Sequence, residues 1–122
     1  METKEILIVD DSATSRMIIK RCFQIAGFQE SSFNEVEDGL KAMAFLDENT
    51  VDLIVTDLKM PKMDGNTFIK KIKIHPKTKN IPIIVISSMG NDVIEEELTK
   101  LGVKAVIKKP VSPAKLMEVL GE

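Results

Sequence analysis

The sequence predicts an α/β fold, a doubly wound (βα)5 sandwich built on a five-stranded parallel sheet in the order 2-1-3-4-5. Three observations predict it. Strand-like and helix-like segments alternate five times, which implies a parallel sheet with helices on both faces. The first, third and fourth strand segments are apolar throughout, as strands covered on both sides are. The second and fifth carry polar residues and suit the sheet edges. Right-handed crossovers then favour 2-1-3-4-5, with the winding reversing between strands one and three.

The elements follow in order. Glu5-Ile6-Leu7-Ile8-Val9-Asp10 is a strand ending on acid. A helix runs from about Ala13 to Ala26, with Ile18, Cys22 and Ile25 on its apolar stripe and Gly27 as its stop. Glu30 to Val36 is a weak strand whose apolar content is Phe33 and Val36. The next helix, about Asp38 to Glu48, presents Leu40, Met43 and Leu46. Val51 to Asp57 is the central strand, β-branched-rich and cut off by the loop Leu58-Lys59-Met60-Pro61-Lys62-Met63-Asp64-Gly65. A helix from about Gly65 to Ile74 buries Phe68, Ile69 and Ile72, and Pro76 ends it. Ile81 to Ser87 is a wholly apolar strand, followed by the loop Ser88-Met89-Gly90. A helix from about Asn91 to Leu101 spaces Ile94, Leu98 and Leu101 helically. The fifth strand, Val103 to Lys109, sets Lys104, Val106 and Lys108 on one side and Ala105 and Ile107 on the other. Pro110 ends it, and a last helix from about Ser112 to Leu120 buries Leu116, Val119 and Leu120.

Composition narrows the function. The 122 residues suit one domain, 1–122, with no output domain. A formal charge of −2 argues against a nucleic-acid binder built on bulk charge. The single cysteine, Cys22, lies in an apolar helical pattern and reads as a packed thiol in a reducing compartment. No apolar run has membrane-span length and no signal-peptide core opens the chain, so a cytoplasmic protein is expected. His75, the only histidine, reads as a surface residue.

Asp10 and Asp11 end strand one and Asp57 ends strand three, on either side of the winding reversal. Open α/β sheets place their ligands at that rim. Three like charges there repel, and a divalent cation removes the conflict. All-oxygen ligands select a hard ion such as Mg²⁺. A carboxylate beside the metal can attack phosphorus and form an aspartyl phosphate. Such chemistry wants a cation and a hydroxyl near the phosphoryl oxygens. Lys109 and Ser87 end strands five and four at the same rim.

Asp10-Asp11, Asp57 with Met60-Pro61-Lys62-Met63-Asp64-Gly65, Ser87 and Lys109-Pro110 together resemble the receiver domain of two-component response regulators, most closely its single-domain chemotaxis members. The likeness covers essentially the whole chain. It implies a flavodoxin-like fold whose known order is already 2-1-3-4-5, so that order is not an independent discovery. It implies a signalling switch rather than an enzyme. Asp57 would accept a phosphoryl group from a histidine kinase, a histidine phosphotransfer protein or a small donor. Asp11 and Asp57 would bind Mg²⁺ directly and Asp10 through water, with the Lys59 backbone carbonyl as a further ligand. Ser87 and Lys109 would engage the phosphoryl group, and a cis Lys109-Pro110 bond is expected. A monomer is expected. Its downstream protein target, in chemotaxis or flagellar motor control, would bind the face of helix four, strand five and helix five, where Lys100, Lys104, Lys108 and Lys115 would give a positive cast. The alternative is an intermediate in a phosphorelay.

Some positions depart from the family pattern. Val106 stands where family members often carry an aromatic residue, so signalling is expected to rest on the Ser88-Met89-Gly90 loop and the next helix. Lys59 and Met89 flank the phosphoryl site, and Met89 offers no hydrogen bond to an attacking water, which predicts a long-lived aspartyl phosphate. Other classes fit less well. A haloacid-dehalogenase-type phosphatase wants an Asp where Lys59 stands. A flavin carrier would meet repulsion from Asp10 and Asp11 and lacks Trp or Tyr to stack on the ring. The full acidic set argues against a receiver that works without phosphorylation.

Overall fold

The computed structural model describes residues 4–88 and 92–120. Five parallel strands form one sheet in the order β2-β1-β3-β4-β5, a flavodoxin-like fold. They are β1 (Glu5–Val9), β2 (Ser32–Val36), β3 (Leu53–Thr56), β4 (Ile83–Ser87) and β5 (Ala105–Lys108). The helices are α1 (Ala13–Phe23), α2 (Gly39–Glu48), α3 (Gly65–Ile74), α4 (Asp92–Lys100) and α5 (Pro113–Leu120).

Side chains alternate across a strand, so each central strand feeds two cores. From β1, Leu7 and Val9 join Ala42, Leu46, Phe68, Ile72 and Leu98 on the α2–α3–α4 side. Ile6 and Ile8 join Ile19, Phe23, Ile107 and Leu116 on the α1–α5 side. Every residue of β3 and β4 is buried, which explains why both read as unbroken apolar runs.

Two helix faces differ from expectation. Ile18 and Ile25 on α1 and its continuation are 47% and 60% exposed, and the inward residues are Ile19, Cys22, Phe23 and Ala26. Adjacent apolar residues offered two phases one step apart. Phe23 decides between them, since its ring packs edge-on against Phe28 at 5.5 Å and Phe33 at 6.1 Å. On α2, Leu40 is 50% exposed while Gly39, Ala42 and Leu46 face inward. Space is tight there, since a Cβ on Gly39 would lie 3.0 Å from Met63 Sδ and the Met63 side chain would have to give. The regular part of α1 also ends earlier, at Phe23. A wide turn, Gln24–Phe28, follows, with Gly27 at φ 112°.

Register positions the site. Val9 pairs with Thr56, so the next residues, Asp10 and Asp57, emerge level. Asp57 donates its amide to the Val9 carbonyl at 3.0 Å. Ser87 pairs with Lys108, and Lys109 donates its amide to the Ser87 carbonyl at 3.0 Å.

Candidate phosphoacceptor site

Carboxylate oxygens of Asp10, Asp11 and Asp57 lie within 4.8 Å of one another. Asp10 and Asp57 are 1% and 8% exposed, and Asp11 faces solvent. Burial of acids is costly without partners, and the partners are present. Asp10 Oδ1 accepts from the Ser12 amide at 2.9 Å, and its Oδ2 accepts from the Ser15 hydroxyl at 2.6 Å. Asp57 Oδ1 accepts from the amides of Leu58 at 2.7 Å and Lys59 at 3.4 Å. Lys109 Nζ donates to Asp57 Oδ2 at 3.0 Å and to Asp10 Oδ2 at 3.4 Å. Burial opposes the Lys109 charge. The hydrogen bond to Asp57 and the fields of Asp10 and Asp57 outweigh it, and its pKa is raised.

The loop after β3 is shaped around this carboxylate. Gly65 donates its amide to the Leu58 carbonyl at 2.8 Å. A Cβ on Gly65 would sit 2.5 Å from the Asp57 carbonyl oxygen, so the close approach requires glycine. Lys62 takes φ 67°, a conformation that side chains rarely adopt. Its ammonium lies 3.9 Å from Asp38, the buried cap of α2. The Lys109-Pro110 bond is cis, as expected.

The structure therefore brings Asp10, Asp11, Asp57 and Lys109 together. Ser87 is buried at 1% exposed and level with Lys108. Lys59 is exposed and directs its backbone amide toward Asp57. Met89 and Gly90 lie outside the described residues, so the expectations placed on them do too. Val106 shares a side with Lys104 and Lys108, yet it is half-buried against the α2–α3–α4 core. The positive cast expected around it is confined to β5 and α5. On α4, Asp92, Glu95, Glu96 and Glu97 are exposed, and Lys100 lies 4.0 Å from Glu96. His75 is exposed, and its Nδ1 accepts from the Lys77 amide at 3.1 Å.

Sequence reasoning missed two supporting side chains. Arg16 donates through Nη1 to the Asp10 carbonyl at 2.6 Å and through Nε to Glu35 at 3.2 Å. Ser15 holds Asp10 directly. The available signal was spacing: both lie in the first turns of a helix that begins at the acid-ended strand.

The donor set is three carboxylates with one ammonium between two of them, a composition that fits a hard divalent cation. Fold and site together define a receiver, and a family model of the response regulator receiver domain matches residues 6–121. The chain belongs to that family. It is similar to the chemotaxis protein CheY of Thermotoga maritima, 38% identical over 120 residues, covering 98% of this chain and 96% of that one. Among solved structures it is similar to the chemotaxis response regulator CheY4 of Vibrio cholerae, with TM-score 0.85, 26% identity and 98% of each chain covered. It is also similar to the Mn²⁺-bound form of the response regulator Rcp1, with TM-score 0.80, 28% identity, 97% of this chain and 90% of that one. That relative and the acidic cluster support divalent metal binding here. Among the described residues, no helix is long and apolar enough to cross a membrane.

Proposed function

We propose that this chain is a phosphorylation-driven switch, with Asp57 as phosphoacceptor. The observation that carries the reading is the convergence of Asp10, Asp11 and Asp57 beside the Lys109 ammonium. Asp57 would attack the phosphorus of a kinase phosphohistidine or of a small acyl phosphate. The O–P bond forms as the P–N or P–O bond breaks, and the leaving group departs with the electron pair. The amides of Leu58 and Lys59 hold Asp57 Oδ1, which fixes the carboxylate's rotation. Lys109 would exchange its bond to Asp57 Oδ2 for bonds to the phosphoryl oxygens. The Ser87 hydroxyl would take up another phosphoryl oxygen. Asp10, Asp11, Asp57 and the Lys59 carbonyl would hold Mg²⁺. When bound, Mg²⁺ neutralises charge on the transferring phosphoryl group.

The output would be altered binding of a protein target on the face of α4, β5 and α5. The relatives' chemotaxis names support a motor-control role. Onward transfer to a histidine phosphotransfer protein is the alternative outcome. Incubation with acetyl phosphate and Mg²⁺, followed by intact mass, tests the reading. One added phosphoryl group, absent in Asp57→Asn, is expected. No mass gain, or an unchanged gain in the variant, would overturn it.

A further inference from the structure

Lys115 lies on the exposed surface of α5, in its first turn. Its ammonium does not simply point into water. It donates to the Pro110 carbonyl at 2.9 Å and to the Lys108 carbonyl at 3.2 Å. Those two carbonyls flank Lys109. The other end of Lys115 is also held, since its amide donates to the Ser112 hydroxyl at 3.2 Å, the cap of α5. An ammonium held by two carbonyls makes charge-assisted bonds, which oppose the rotamer freedom of an exposed lysine.

We propose that Lys115 is a positioning residue for Lys109, clamping the backbone on both sides of it. The inference rests on reading Asp57 as the phosphoacceptor and Lys109 as its cationic partner. Aim matters because Lys109 Nζ lies within reach of two carboxylates, Asp57 at 3.0 Å and Asp10 at 3.4 Å. A small backbone shift would turn it toward Asp10 or toward solvent. Positioning errors near 1 Å can cost about a hundredfold in rate, and a partial loss of aim costs less.

The test compares initial rates of phosphorylation by acetyl phosphate at saturating Mg²⁺. Lys115→Met, which keeps most of the aliphatic stem, should be about three- to tenfold slower. Lys115→Arg should recover to within about twofold of wild type, because the guanidinium restores the donors. Lys104→Met removes the same charge just before β5, away from the Lys109 backbone, and should also stay within about twofold. Mg²⁺ affinity should be unchanged in Lys115→Arg and Lys104→Met. In a Lys109→Arg background, Lys115→Met should add no further loss, since residues acting through one another are not additive. A wild-type rate in Lys115→Met, an equal loss in Lys104→Met, or the same fold-loss in the Lys109→Arg background would overturn the proposal.

Hydrogen exchange of the Lys109 amide, read without any phosphodonor, separates the two layers. It should quicken in Lys115→Met alone. If the wild type takes up no phosphoryl group while Lys115→Met still shows faster exchange, Asp57 is retired as acceptor and the clamp is kept. Unchanged exchange with unchanged rate would retire the clamp.

Discussion

Asp52 and Asp57 flank the same strand and have opposite fates. Asp52, at the start of β3, is exposed, and its carboxylate accepts from the Glu5 amide at 2.8 Å. Asp52 also donates its own amide to the Glu5 carbonyl at 2.7 Å. Asp57, at the end of β3, is nearly buried, bonded to Lys109 and crowded by two further acids. Glu5 gives the other rim a second acid, but both are exposed, with no third acid in their cluster among the described residues. An acid at a strand end is thus a turn device by default. It becomes a site when register brings neighbours level with it, as the Val9–Thr56 pairing does for Asp10 and Asp57.

The largest effect should come from exchanging the two. Asp57→Asn is expected to abolish phosphoryl uptake in intact-mass assays, while Asp52→Asn stays within about twofold of wild type. Equal losses in the two would erase the contrast. Next in size, Lys109→Ala should slow uptake by about a hundredfold, the scale of one lost donor to developing charge. Mg²⁺ should still bind to that variant, and more tightly, because a competing cation has left Asp57. A calorimetric titration reads this, and weaker binding would contradict it.

Gly65→Ala should disturb only the Asp57 end of β3. Its Cβ would meet backbone at 2.5 Å and 2.6 Å, so the loop must move. A loss of about 1–3 kcal/mol in urea unfolding is expected, with weakened Mg²⁺ binding. The smallest effect concerns Asp64, the cap of α3, whose carboxylate accepts from the Thr67 amide at 2.9 Å. Asp64→Ala should cost about 1 kcal/mol at neutral pH. The hydrogen bonds from Thr67 hold the Asp64 pKa below its ordinary value. A lowered carboxylate lends stability above the unfolded value of about 4, and that stability disappears as pH falls through the folded value. The gap between variant and wild type should therefore close in acid, as measured by melts at several pH values.

Much of the rim was legible because its signals are local. The acids end apolar runs, and Gly65 and Pro110 punctuate the chain where turns must fall. The edge strands were legible from pattern, since β2 and β5 are largely half-buried or exposed while β3 and β4 are wholly buried, although the order itself was already implied by the family resemblance. Helix phase was less so. Met17-Ile18-Ile19 and Cys22-Phe23 allow two faces, and the choice depends on Phe28 and Phe33, which are distant in sequence or belong to another element. Arg16 and Lys115 escaped for a related reason. Both act on backbone carbonyls, and a carbonyl carries no residue identity for a sequence pattern to reveal.

The most direct measurement is the address of the phosphoryl group. After acetyl phosphate and Mg²⁺ treatment, borohydride reduces an aspartyl phosphate to homoserine, and peptide mapping finds the altered position. The mark is expected at Asp57 alone. A mark at Asp10, Asp11 or Asp52 instead, or a phosphorylated chain with none, would contradict it.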